Sequence, residues 1–308
     1  MNRIHRKSPF WTIAAPILIY MGVRLLVEVV AILILSFPYM MDAYGQLIEQ
    51  QTLTMDEMTQ QYWTLMEPAM EQVLRYSTVI AGVAALVTIP VNAIFFSRDR
   101  KLEKVCGMET PEKAPLKKYW TVVVFGLAVS IAATCFAAMV QLAFYNGQSQ
   151  SSSLTVYSPP FPVQLLVLGI IVPIAEELMF RGVLFRRFME NRSFWYAALW
   201  SSLFFVLMHQ DGAQMVYALL LGIFLCYVYE KFGSLKAPAV LHVAANCSSL
   251  VYTETGVFRW LGGAPVRMAG AVIIGAFICS VMYVLIQRTG GPVRKENTSG
   301  TGDSGDMF

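Results

Sequence analysis

Charge is what this 308-residue sequence has least of. Asp, Glu, Lys and Arg make up 14% of it, against about a quarter in an average soluble domain. With 56% of residues hydrophobic and a mean hydropathy of +0.54, that shortage excludes an ordinary water-soluble globule. It predicts an all-α, polytopic transmembrane helical bundle. Cysteine is scarce and scattered (Cys106, Cys135, Cys226, Cys247, Cys279), mostly within apolar runs. With no Cys-x-x-Cys pair, a disulfide framework and a cysteine-held zinc are set aside. There is no glycine-rich phosphate loop, no internal repeat and no pair of interrupted apolar runs of the transporter kind. The first apolar run lacks a small-x-small cleavage site and is too long for a signal-peptide core, so it is expected to remain as an anchor.

What is present is a series of about eight apolar runs long enough to span, near 10–37, 78–97, 119–145, 161–181, 193–209, 213–230, 237–253 and 266–287. The net charge of +3 matters less than its placement. Arg3, Arg6 and Lys7 precede the first run. Arg98, Arg100, Lys101, Lys104, Lys113, Lys117 and Lys118 follow the second, and Arg181, Arg186, Arg187 and Arg192 follow the fourth. Lys231 and Lys236 follow the sixth; Arg288, Arg294 and Lys295 follow the eighth. All fall on one side if both termini are cytoplasmic, which predicts a multi-pass protein of the cell membrane. The basic loops are thus explained by orientation, with no nucleic-acid partner.

The opposite side receives 38–77, where Asp42, Glu49, Asp56, Glu57, Glu67 and Glu71 face Arg75 alone, together with 146–160 and 254–265. Residues Met55 to Leu74 predict a short extracytoplasmic helix lying against the outer surface, as a packing cap or a substrate lid. The expected organisation is 1–145, three spans with segment 38–77; 146–288, a five-span core; and 289–308, a tail too polar to fold. Arg24 and Glu28 stand at i,i+4 in the first run and predict a structural ion pair.

The candidate chemistry sits in the later runs. Glu176 and Glu177 are adjacent inside Leu165-Val-Leu-Gly-Ile-Ile-Val-Pro-Ile-Ala-Glu-Glu-Leu-Met-Phe180. A charge at bilayer depth costs roughly 2.5–3.5 kcal/mol on insertion scales, so a pair kept there needs a use or a partner. Neighbours on a helix point about 100° apart, so the two acids do different jobs. Glu177 precedes Arg181 by four, the favourable order for pairing. Glu176 has no local cation and sits in the apolar setting that suits a general base. Pro173 removes a backbone hydrogen bond just before the acids and predicts a bend there. The sequence has three histidines, of which His209 and His242 fall in apolar runs. Phe205 and His209 share a helix face, as do His242 and Asn246, whose intervening Ala244 and Ala245 admit a close neighbour. His242 and Asn246 present two hydrogen-bond donors along one line, an arrangement suited to a developing oxyanion. Each piece alone also fits interhelical hydrogen bonding.

Together the three pieces resemble the CPBP intramembrane proteases, which include eukaryotic CAAX prenyl endopeptidases and bacterial bacteriocin-processing and immunity proteins. The family pattern is Glu-Glu-x-x-x-Arg, Phe-x-x-x-His and His-x-x-x-Asn or Asp on three separate helices. Here it reads Glu176-Glu177-x-x-x-Arg181, Phe205-x-x-x-His209 and His242-x-x-x-Asn246, without departures, over roughly residues 160–255. The resemblance implies Glu176 as general base, His209 holding and activating the attacking water, and His242 with Asn246 binding the oxyanion. Glu177, Arg181 and Phe205 match supporting positions. The implied reaction is hydrolysis of a peptide bond in a membrane protein or membrane-associated peptide.

Glu176, His209 and His242 could alternatively hold zinc as a His/His/Glu set. There is no His-Glu-x-x-His, however, and Glu177 is the only acid in view to orient a histidine, so no cofactor is expected. A non-catalytic immunity or scaffold protein is the main rival. A proton-coupled transporter ranks last, since acids and bases on further helices are lacking beyond Arg24 and Glu28. Depth strains the scheme. If span four ends at Arg181, Glu176 and His209 are offset by on the order of 10 Å or more. Span four is therefore expected to continue through Phe188, an extension that is itself amphipathic.

Overall fold

The computed structural model of the chain describes residues 8–49, 54–107, 112–144, 159–209 and 212–289. Arg3, Arg6 and Lys7, most of 146–160 and the expected tail from 290 onward lie outside the described residues. Among the described residues there are helices and no strands. We label them α1 (Pro9–Glu49), α2 (Met55–Val105), α3 (Tyr119–Phe144), α4 (Phe161–Met189), α5 (Phe194–Val206), α6 (Gly212–Phe232), α7 (Lys236–Glu254), α8 (Val257–Gly262) and α9 (Pro265–Gln287).

The protein is a helical membrane bundle. Six of these helices, α1, α2, α3, α4, α6 and α9, are long and apolar enough to cross a bilayer, rather than the eight expected. The two that fall short have physical reasons. The 13 residues of α5 reach about 20 Å, less than a hydrocarbon core. The 19 residues of α7 have the length, but they carry Lys236, His242, Asn246, Ser248 and Ser249. Large apolar side chains line the outside, as on α9 with Ile273, Ile274 and Phe277 more than 60% exposed, which is the surface lipid requires.

Segment 38–77 differs from expectation. Among its described residues there is no separate helix lying on the surface. Instead α1 runs on to Glu49, and α2 starts at a capping box in which Thr54 and Glu57 satisfy each other's backbone amides. At 1.5 Å per residue the 41 and 51 residues of α1 and α2 reach about 60 and 75 Å, so the pair outruns the bilayer.

Helix α4 is continuous from Phe161 to Met189, which sets Glu176 and Glu177 near its middle and removes the expected depth mismatch. It is under-wound twice, with wider i→i+5 turns at Val167–Ile171 and Leu178–Phe185. Its neighbours have a readable register. Val167 lies against Gly82 and Phe96 against Gly182, so α2 runs parallel to α4. Arg187 donates to the carbonyl oxygen of Thr12 and Phe180 packs on Tyr20, so α1 runs antiparallel.

Arg186 and Arg187, read in the sequence as loop charges, are buried in α4. Arg187 grips Asp99 with two nitrogens at 2.7 and 3.2 Å, and Arg186 pairs with Glu103 at 3.1 Å. Their depth is tolerated because each has a carboxylate. The largest apolar cluster lies between α3, α6, α7 and α9, with Phe125, Leu225, Phe232, Leu241 and Ile286 fully buried. Gly126 on α3 makes room for α7: a Cβ there would stand 2.8 Å from the Leu241 carbonyl oxygen and 2.9 Å from the Ala244 Cβ. The close approach expected at Ala244 and Ala245 is this contact.

Candidate active site

Glu177 and Arg181, one turn apart on α4, form a fully buried pair at 2.8 Å. The second nitrogen of Arg181 reaches across to the Gly222 carbonyl oxygen on α6 at 3.2 Å, and its guanidinium lies 4.5 Å from the Phe205 ring centroid. Gly222 permits this: a Cβ there would stand 2.8 Å from Ser202 Oγ and 3.3 Å from the Arg181 guanidinium. The Arg181 charge is therefore met by a carboxylate, a carbonyl and an aromatic face at once.

The same carboxylate oxygen of Glu177 lies 2.8 Å from His242 Nδ1 on α7. Because that oxygen already accepts from Arg181, Nδ1 must carry the proton it shares. The ring is thereby fixed, with Nε2 directed at Glu176, whose Oε2 is 3.9 Å away, longer than a direct hydrogen bond. Glu177, paired in the sequence with Arg181 and the one acid in view there to orient a histidine, is thus the carboxylate that orients His242.

Phe205 on α5 is the hub of the aromatic contacts. Its ring centroid is 4.8 Å from that of His209, 5.7 Å from that of His242 and 5.2 Å from that of Phe180. The expected helical face holding Phe205 and His209 is corrected in one respect. α5 ends at Val206, and His209 stands just past it, half-buried. Its position is held by its backbone N–H on the Val206 carbonyl oxygen at 2.9 Å and by Nδ1 at 3.0 Å from the Phe205 carbonyl oxygen. The ring stays beside Phe205 although the helix does not carry it.

Asn246 faces α4, as His242 does, but its amide is engaged. Nδ2 donates to the Leu168 carbonyl oxygen at 3.0 Å, and Cys247 Sγ approaches the Gly169 carbonyl oxygen at 3.5 Å. Pro173 explains both contacts. It has no N–H for the carbonyl four or five residues back, which are those of Gly169 and Leu168. The second N–H of Asn246 remains for a ligand.

The structure thus joins Glu176, Glu177, Arg181, Phe205, His209 and His242 into one buried constellation, with Asn246 one turn from His242. Among the described residues no three of His, Cys, Asp and Glu converge as metal ligands. Sequence reading missed the α1 face of this site. Tyr20 is buried against Phe180, and Arg24 donates to its hydroxyl at 3.2 Å. The expected Arg24–Glu28 ion pair is present but long, at 3.9 Å with Glu28 41% exposed. A lone tyrosine in an apolar run gives no signal of such a role.

Residues 158–248 match the family model described as type II CAAX prenyl endopeptidase Rce1-like. YdiL of Bacillus subtilis, named as a membrane peptidase, is 28% identical over 117 residues, 38% of this chain and 48% of that protein. The membrane-embedded CAAX protease MroQ of Staphylococcus aureus is 27% identical over 186 residues, 56% of this chain and 71% of that protein. The UPF0177 protein YxdF of Lactococcus lactis is 29% identical over 126 residues, covering 41% and 70%. The chain thus spans about half the length of the first of these relatives. No solved structure matches.

Proposed function

We propose, with residues 158–248 as an Rce1-like segment of the CPBP family for premise, that this membrane protein is an intramembrane endopeptidase. It hydrolyses a peptide bond of a membrane protein or membrane-associated peptide. The observation that carries the reading is the buried line Arg181–Glu177–His242–Glu176 across α4 and α7. Three of its members balance one another, and the fourth, Glu176, is left facing an imidazole nitrogen.

In this reading Glu176 takes the proton of a water held between it, His242 Nε2 and His209, and that water attacks the scissile carbonyl. His242, oriented by Glu177, and the remaining N–H of Asn246 receive the oxyanion. His242 Nε2 donates to it after taking up a proton, which the flanking Glu176 can supply. Glu177, Arg181 and Phe205 hold the imidazoles in place. The tetrahedral intermediate then collapses with cleavage of the C–N bond, and the proton taken from the water passes from His242 to the departing amine, so the proposed steps need no metal. Both termini are cytoplasmic and the membrane is the cell membrane, supported by the exposed Lys101, Lys104, Lys117 and Lys118 around the C-terminal end of α2. Segment 38–77 then lies outside, and no nucleic-acid partner is implied.

The test is comparative proteomics of membranes carrying the wild-type protein or Glu176→Gln. One or a few uncleaved precursors accumulate in the variant, and the purified wild-type protein, chelated and dialysed, cuts them. Survival of the biological activity in Glu176→Gln would sink the protease reading in favour of an immunity or scaffold role. Loss of cleavage on chelation, restored by zinc, would move the chemistry to a metal.

A further inference from the structure

Helix α1 lies outside the matched segment, and it still forms one wall of the site. Its register against α4 is fixed at two points. The Thr12 carbonyl oxygen takes a hydrogen bond from Arg187, and the Tyr20 ring packs edge-on against Phe180 at 5.9 Å. In an antiparallel pair the next turn of α1, which carries Arg24, comes level with Glu176. That register puts Arg24 and Tyr20 within electrostatic reach of the Glu176 carboxylate. Arg24 and Glu176 are not in ion-pair contact, which leaves a gap between guanidinium and carboxylate.

The ion pair with Glu28 does not account for Arg24. Its contact with Glu28 is 3.9 Å and partly solvent-facing or lipid-facing, and its hydrogen bond goes to Tyr20 at 3.2 Å. Tyr20 is 2% exposed, so that bond draws the guanidinium inward. A cation on a helix whose apolar stretch is otherwise turned outward costs free energy unless it serves an inner charge. Among the described residues, His242 Nε2 stands in ion-pair contact with Glu176, at 3.9 Å.

We propose that Arg24, drawn inward by Tyr20, is the counter-charge that positions the Glu176 carboxylate, making α1 a wall of the active site. This rests on the endopeptidase reading for its activity readout, though not for its geometry. Arg24 acts through Glu176 and is a positioning residue. Its loss leaves substrate binding in place and slows the chemical step.

Two measurements test this. The first uses a peptide spanning the cut site of the precursor that accumulates with Glu176→Gln. Arg24→Gln lowers kcat by roughly tenfold or more with KM little changed, the order expected for loss of a preorganised charge. Arg24→Lys recovers most of the rate, and Glu28→Gln cleaves as the wild type does. The second is a thermal double-mutant cycle of Arg24→Gln with Glu176→Gln in purified protein, which needs no substrate. The two effects are non-additive if the side chains are coupled. Wild-type turnover in Arg24→Gln, an additive cycle, or a Glu28→Gln variant as slow as Arg24→Gln each overturns the inference. If Glu176→Gln itself still cleaves, the assignment of Glu176 as general base falls while the cycle continues to report on the Arg24–Glu176 coupling. If Glu176→Gln is inactive but the cycle is additive, only the role of Arg24 falls.

Discussion

At the scale of single residues, Arg181 decides whether two acids can stand side by side within the bundle. It is fully buried and meets Glu177, the Gly222 carbonyl and the Phe205 face together. Arg181→Ala leaves Glu177 buried without its cation, a loss on the order of 3–5 kcal/mol, so a large fall in the thermal midpoint in detergent is expected. Arg181→Lys restores charge and not the planar fork that reaches carboxylate and carbonyl at once, so it should recover only part of that fall. Full recovery by lysine would contradict this account. The Glu177–Arg181 contact was legible because it is local: i,i+4 spacing places two side chains on one face whatever the tertiary structure. The Glu177–His242 bond spans 65 positions, and no spacing rule reports it. Arg24 misled for a different reason: Tyr20 four residues before it and Glu28 four after are both on its helix face, and the burial of Tyr20 against Phe180 selects between them.

At the scale of elements, a single missing N–H organises the contact between α4 and α7. Pro173 frees carbonyls on the under-wound turn Val167–Ile171, and Asn246 and Cys247 take them up. The sequence predicts a bend at Pro173 and says nothing of the partners, since the freed carbonyls lie upstream and the donors come from another helix. The same limit explains α2. A hydropathy window breaks at Arg75, but a helix does not, because backbone hydrogen bonding continues through charged residues and Pro68 is accommodated. The α3–α7 contact offers a sharp test at this scale. Gly126→Val would drive its side chain into the Leu241 carbonyl and Ala244, and overpacking of this kind costs about 1–3 kcal/mol. Because His242 is the next residue along, cleavage should fall further than stability does. Equal wild-type activity and midpoint in Gly126→Val would show that α7 has slack there.

At the scale of the whole molecule, the buried pairs Arg187–Asp99 and Arg186–Glu103 tie the C-terminal ends of α2 and α4 together, with the start of α1 joined through Thr12. These charges therefore do less to orient the protein than their number suggests. Orientation rests on the exposed ones, Lys101, Lys104, Lys117 and Lys118 at one end, with Asp42, Glu49, Asp56, Glu57, Glu67 and Glu71 at the other. The hairpin of α1 and α2 carries that second set well past the start of α4, so its far end should be reachable from outside the cell. Trp63 is 62% exposed on that projection, and Cys106 is half-buried just after α2 at the opposite end. A membrane-impermeant maleimide should label Trp63→Cys in intact cells and Cys106 only after permeabilisation. Labelling in the reverse order would invert the topology and move the acidic hairpin to the cytoplasm. The polar constellation on α4 and α7 would keep its geometry under that inversion, but its substrates would approach from the other face.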